Sequence, residues 1–122
     1  MQILKDRGIT YMMHTDGKAD EVILFVVKLG FSALHGIEEA CNNLGEIKQR
    51  FGKQIALLGN MDIVDLTKKS PAQIGEETKA MLNQGMTGGG YIAGCNTLVA
   101  KYIPVENYLT MLKTIEKYGG YK

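Results

Sequence analysis

Four times along this chain a short apolar run of strand length is followed by a stretch with helical spacing. That alternation constrains the fold more than any other feature. A strand that returns through a helix lies parallel to its predecessor, so repeated βα units build a parallel sheet with helices packed on it. The first strand is predicted over residues 9–13. The helix after it, over residues 19–29, is apolar nearly all round at VILFVV and meets a C-terminal stop at Gly30. A helix of that kind needs cover on more than one side. A second strand over 31–37 leads to a helix with Leu44, Ile47 and Phe51 on one face, closed by Gly52. The third strand, 54–58 (QIALL), has the unbroken apolar character of a strand buried on both faces. A loop follows, then a helix announced by Ser70, Pro71 and Gln73 as cap, first position and third position, ending near Gly85. GGGYIAG from Gly88 supplies the fourth strand. The last helix starts near Pro104, with Val105, Tyr108, Leu109, Leu112 and Ile115 as its predicted buried face, and stops at Gly119 and Gly120.

The chain has 122 residues, whereas a complete (βα)8 barrel takes about 250. Four units are half of one. The α/β fold is therefore either an open doubly wound sheet or half of a (βα)8 TIM barrel, and an open half exposes two strand edges that invite association. An apolar fraction of 45% with 22% charged residues is that of a folding domain. A net charge of +1 with no basic cluster gives no footprint for nucleic acid. The longest apolar run, Val22 to Val27, is too short to span a membrane, and MQILKDRG lacks a signal peptide's apolar stretch, so the expectation is a cytoplasmic protein with no membrane partner. Cys41 and Cys95 form no CxxC pair and are expected to be reduced thiols.

In α/β folds chemistry sits beyond the C-terminal ends of the strands. Here those ends carry His14-Thr15-Asp16-Gly17, Glu38-Glu39, Gly59-Asn60-Met61-Asp62 and Gly94-Cys95-Asn96-Thr97. The opposite loops hold little beyond turn residues, so a small-molecule site is expected at the first face. Asp16, Glu38 and Asn60 are its candidate catalytic groups. His14 and Cys95 offer nitrogen and sulfur to a zinc ion, with Asp16 as a third candidate ligand. Each has a plainer reading as well: His14 bonded to a carbonyl, Asp16 as the N-cap of the first helix, Cys95 as a small buried hydrophobe. His35 is expected to pack or to touch a neighbouring loop. The glycines at 88–90 precede a strand, which argues for close backbone packing and against a phosphate cradle.

The ordered series HTDG at 14–17, a Glu after the second strand, LGNMD at 58–62, GGGYI at 88–92, PVEN at 104–107 and KYGGY at 117–121 resembles the C-terminal half of the uroporphyrinogen decarboxylase superfamily, over nearly the whole chain. The resemblance implies a barrel half over an open sheet. It also implies one of two activities: decarboxylation of a tetrapyrrole, or methyl transfer from a corrinoid to a thiol such as coenzyme M. The methyltransferases hold zinc through His-x-Cys after one strand and a Cys after the last, and zinc lowers the pKa of the acceptor thiol. His14 and Cys95 match two of those positions, and Asp16 stands where the middle Cys belongs. The decarboxylases have His-Gly where this chain reads Cys95-Asn96, and their carboxylate-holding Asp and Arg residues lie in the N-terminal half.

Three readings follow. The chain is a zinc-dependent, corrinoid-linked methyltransferase-like protein, a tetrapyrrole decarboxylase-like protein, or an inactive barrel half that works only by association. The first is favoured by His14 and Cys95. In all of them the partners expected are a small-molecule substrate or a corrinoid protein, and a second copy or an N-terminal barrel half.

Overall fold

The computed structural model describes residues 2–121. Its elements, in chain order, are α1 (Gln2–Asp6), β1 (Met12–His14), α2 (Ala19–Leu29), β2 (Ala33–His35), α3 (Leu44–Phe51), β3 (Ala56–Leu58), α4 (Ile63–Lys68), α5 (Pro71–Gly85), β4 (Tyr91–Ile92) and α6 (Val105–Tyr118). The four strands form one sheet in the order β1-β2-β3-β4, every pair parallel. This is the half-barrel-like α/β fold expected from the alternation. Among the described residues no helix is long and apolar enough to cross a membrane.

Strand register divides the sheet into two unlike faces. Met13, Leu34, Leu57 and Tyr91 lie in one row; Leu34 and Leu57 have no exposed surface, and Tyr91 is buried. These residues meet the helices, with Ile23 and Val26 of α2, Ile47 and Phe51 of α3, Ile74 and Met81 of α5 and Met111 of α6 in the same core. The neighbouring row, His14, His35, Leu58 and Ile92, points to the other face, where Ile92 is 57% exposed and Met12, one step back along β1, is 58% exposed. Helices cover one face and leave the other open. The strands are shorter than the apolar runs that announced them, because the rest of each run bends into turns. Gly30, Gly36, Gly59 and Gly90, all at positive φ, sit in those turns.

Two expectations change. α6 buries Asn107 and Met111, with Tyr108 and Ile115 half-buried, while Val105, Leu109 and Leu112 are exposed. The helix is rotated toward α5 and α4 by a polar anchor that an apolar count cannot see: the Asn107 amide donates to the carbonyls of Leu66 and Lys69, each at 2.8 Å. The segment after β3, expected as a loop, contains α4, whose N-cap Asp62 accepts from the Val64 N–H at 2.6 Å and whose Leu66 is fully buried. The start of α5 is as predicted, a capping box between Ser70 and Gln73 with Pro71 inside. At the glycine run, only Gly90 has a backbone neighbour close enough for packing to matter; Gly88 and Gly89 face open space and are required for their positive φ. The Lys48 ammonium donates to the carbonyls of Gly89 and Gly90 and holds the turn.

The β4 edge is partly closed by the chain itself. Tyr121 Oη accepts from the Tyr91 N–H at 3.1 Å and donates to the Tyr91 carbonyl at 2.8 Å, supplying the partners that a further strand would offer. Asn107→Ala is expected to destabilise the fold by about 1–3 kcal/mol, since one buried and one half-buried helix-end carbonyl lose their donor. Urea denaturation checks this; exposed Leu109→Ala should cost well under half as much.

Candidate functional site

Parallel pairing brings all four strand ends to one rim. His14 and His35 are the last residues of β1 and β2 and are paired in register, and the bridge between Met61 and Cys95 continues the rim past β3 and β4. The approach of the first two ends depends on Gly36, at φ 92°, where a Cβ would collide with the Thr15 carbonyl oxygen.

The two imidazoles are joined through Nδ1 atoms 2.9 Å apart, and His35 Nε2 lies 3.0 Å from the Cys95 carbonyl oxygen. A carbonyl only accepts, so His35 Nε2 carries a hydrogen. With His35 neutral, its Nδ1 accepts and His14 Nδ1 donates. That chain leaves His14 Nε2 with a lone pair unless a proton or another cation occupies it. The Asp16 carboxylate is 3.3 Å from that nitrogen. In that arrangement a lone pair faces a carboxylate, an opposition that a cation held between the two atoms would relieve. Two donors about 2.0–2.1 Å from a tetrahedral zinc would themselves be roughly 3.3 Å apart. His14 and Asp16 therefore suit one cation as a pair. They do not form a closed site: among the described residues no group of three or more His, Cys, Asp or Glu is arranged to hold a metal ion.

Asp16 does not cap α2. The residue at that N-cap is Lys18, which makes no capping bond, and the Ala19 N–H instead reaches Asn42 Oδ1 at 2.8 Å. Asn42 also donates to the Gly17 carbonyl at 2.8 Å, and the Gly17 N–H donates to Glu38 Oε2 at 3.1 Å. Glu38 thus touches the backbone of the HTDG turn and fixes the loop that carries His14 and Asp16. Asn60 is buried and lines a cavity between α3 and α5. Cys95 is buried beside a second cavity of about 260 Å³ along the β4 edge, shared with His35, Ile92, Val99 and Leu112. Next to it Asn96 Oδ1 is buried without a hydrogen-bond partner. His35 and Asn42 are the site residues that sequence reasoning did not assign. For His35 the available signal was its place two residues before the strand's predicted end, in line with His14 once register is set.

The description of the family model that matches residues 1–118 is uroporphyrinogen decarboxylase. A uroporphyrinogen decarboxylase of Actinobacillus succinogenes is 32% identical over 77 residues, covering 63% of this chain and 22% of that protein. One of Nitrosospira multiformis is 30% identical over 73 residues, covering 60% and 20%. The matched stretch thus spans about a fifth of each curated relative. Among solved structures, a methyltransferase from Methanosarcina mazei superimposes with a TM-score of 0.75 at 20% identity, covering 98% of this chain and 34% of that one. This last likeness is one of fold.

Burial pushes the Cys95 thiol above its ordinary value of 9.0. The folded chain therefore holds this proton more tightly than the unfolded one. The contribution to stability is complete below pH 9 and is lost as pH rises through the folded value. In the metal-free chain a thiol reagent at pH 8 should modify exposed Cys41 well before Cys95, and above pH 9 the urea midpoint should fall more steeply for the native sequence than for Cys95→Ala. Mass spectrometry of the labelled chain and paired denaturation series check both.

Proposed function

Because the chain belongs to the uroporphyrinogen decarboxylase family, we propose that it forms the C-terminal half of a barrel whose rim promotes methyl transfer from a corrinoid to a thiol, with His14, Asp16 and Cys95 as the zinc ligands. The observation that carries this reading is the His14–Asp16 pair, 3.3 Å apart, with His14 tied through His35 to the Cys95 carbonyl. Zinc bound there would supply acidity to a substrate thiol, keeping it as thiolate at neutral pH. The protein's own contribution is positional. His35 fixes the tautomer of His14, in the way a neighbouring acceptor orients a metal-binding imidazole. Glu38 and Asn42 hold the turn between His14 and α2. Cys95 is the third ligand that the reading requires; it lies on the same rim, but the structure does not group it with His14 and Asp16.

A tetrapyrrole decarboxylase is the second reading, favoured by the names of the two curated relatives and by the unpartnered Asn96 Oδ1, which could accept from a pyrrole N–H. In both readings the open sheet face is covered by a second copy of the chain or by an N-terminal half. Support comes from three apolar groups left exposed among the described residues: Met12 and Ile92 on the sheet, Leu24 and Phe25 on α2, and Val105, Leu109 and Leu112 on α6. Two copies sharing such surfaces would close by a two-fold axis, the commonest symmetry for a self-complementary face.

Calorimetric titration of the metal-free chain with zinc should give one site. His14→Ala, Asp16→Ala and Cys95→Ala should each weaken it at least tenfold, and His35→Ala about tenfold to a hundredfold, as for a group that orients a ligand. Binding indifferent to Asp16 and Cys95 would overturn the methyl-transfer reading, and porphyrin binding without zinc would favour the second. Light scattering of the chain alone should report a particle of at least twice 13.4 kDa; a stable 13.4 kDa particle would rule out the second copy.

A further inference from the structure

Behind the rim, where the start of α3, α4 and the middle of α5 converge, lies a cavity of about 340 Å³ lined by Glu39, Asn60, Asp65, Lys69, Glu77 and Gln84, among others. Its volume is within the range of sites that hold small molecules, roughly 300–1,000 Å³. Lys69 donates to both Asp65, at 2.9 Å, and Glu77, so one ammonium serves two carboxylates. Glu39 stands at the mouth of the cavity with no hydrogen bond or ion pair among the described residues. It faces Asp65, Glu77 and Asp62 against the single Lys69, and burial followed by those carboxylates raises its carboxyl above the ordinary value. Counting these groups, the local charge is short by three positive charges when Glu39 is ionised.

A second observation is independent of charge. Asn60 is 6% exposed and lines the cavity, yet its side-chain amide makes no hydrogen bond among the described residues; its backbone N–H is engaged, with Met81 Sδ at 3.4 Å. Buried carboxamides are ordinarily paired, and this one keeps its carbonyl and its NH2 open to the cavity, where they can bond a guest molecule. A metal ion does not answer this need. The carboxylates are not grouped to hold one, and Lys69 already sits between Asp65 and Glu77. An organic cation does: its N–H groups can be shared between the Glu39 carboxylate and the Asn60 carbonyl, which line the same cavity.

We propose that this cavity binds a small organic cation bearing a primary ammonium group, held between Glu39 and Asn60. The site is separate from the His14–Asp16 pair and does not depend on the reading of the rim.

The test uses 1,4-diaminobutane as the probe, titrated into the full chain in a calorimeter at pH 7.5 and moderate salt, with 1-butanol and succinate as neutral and anionic controls. Saturable one-to-one binding of the diamine alone is expected, weakened at least tenfold by Glu39→Gln. At a pH low enough to protonate Glu39 in the native chain, the affinity should fall toward that of the variant. Glu39 is on the surface, and circular dichroism and thermal melting of Glu39→Gln should match the native chain, so a loss of binding would not be a loss of fold. As a second readout, the Asn60 side-chain amide resonances should shift on titration with the diamine and stay put with either control. Absence of saturable binding, equal binding of 1-butanol, or binding unchanged in Glu39→Gln would overturn the proposal.

Discussion

A parallel sheet covered on one face is the constraint on which everything else in this chain rests. Leu34 and Leu57 are sealed against helices, while the residues beside them in the strands look out from the opposite face. Side chains alternate along a strand with a period of two, so sealing one row commits the next to open surface. The row so committed includes both histidines. Burial of the leucines thus selects which residues reach the rim, and the pairing of His14 with His35 is a consequence of core packing before it is a matter of chemistry.

Much of the rim's polar chemistry is spent on holding loops. Glu38 and Asn42 accept and donate for the turn at Gly17 and the start of α2, which has no cap of its own. A first-turn N–H without a side-chain partner is costly in a buried setting, and here the cap is borrowed from the following loop. The loop that carries Asp16 is thereby fixed from outside. That leaves the Asp16 carboxylate, 74% exposed, free to face His14. A self-capped helix would have used the same carboxylate for its own N–H groups and left His14 without an acidic neighbour.

The number of units, their parallel order and the rim as the polar end were legible in the sequence because each rests on local periodicity and on the rule for strand ends. The face of α6 was not legible. Asn107 is polar, yet its two bonds to the end of α4 outweigh the apolar stripe of Val105, Leu109 and Leu112 in deciding which side is turned inward. α4 was missed for a related reason: six residues with one fully buried side chain give almost no period to read, and the Asp62 cap resembles any turn aspartate. Asp16 invited the cap reading because Asp is among the best N-caps and stands just ahead of the helix; what defeats it is Asn42, 26 positions on, which only the folded chain brings near.

The two edges of the sheet are treated differently, and the difference bears on how a half of this kind can meet another. At β4 the Tyr121 hydroxyl takes both free backbone groups of Tyr91, while the Tyr91 hydroxyl donates to the Gly59 carbonyl. A strand arriving at that edge must first displace Tyr121. At β1 no described residue performs that service, and Met12 and His14 face the open side. Association that begins at β1 therefore meets no competitor, whereas closure at β4 exchanges two hydrogen bonds for two others and is driven only by burial of Ile92, Leu112 and their neighbours. Of the two edges, β1 is the one that another strand could join without displacing a hydrogen bond.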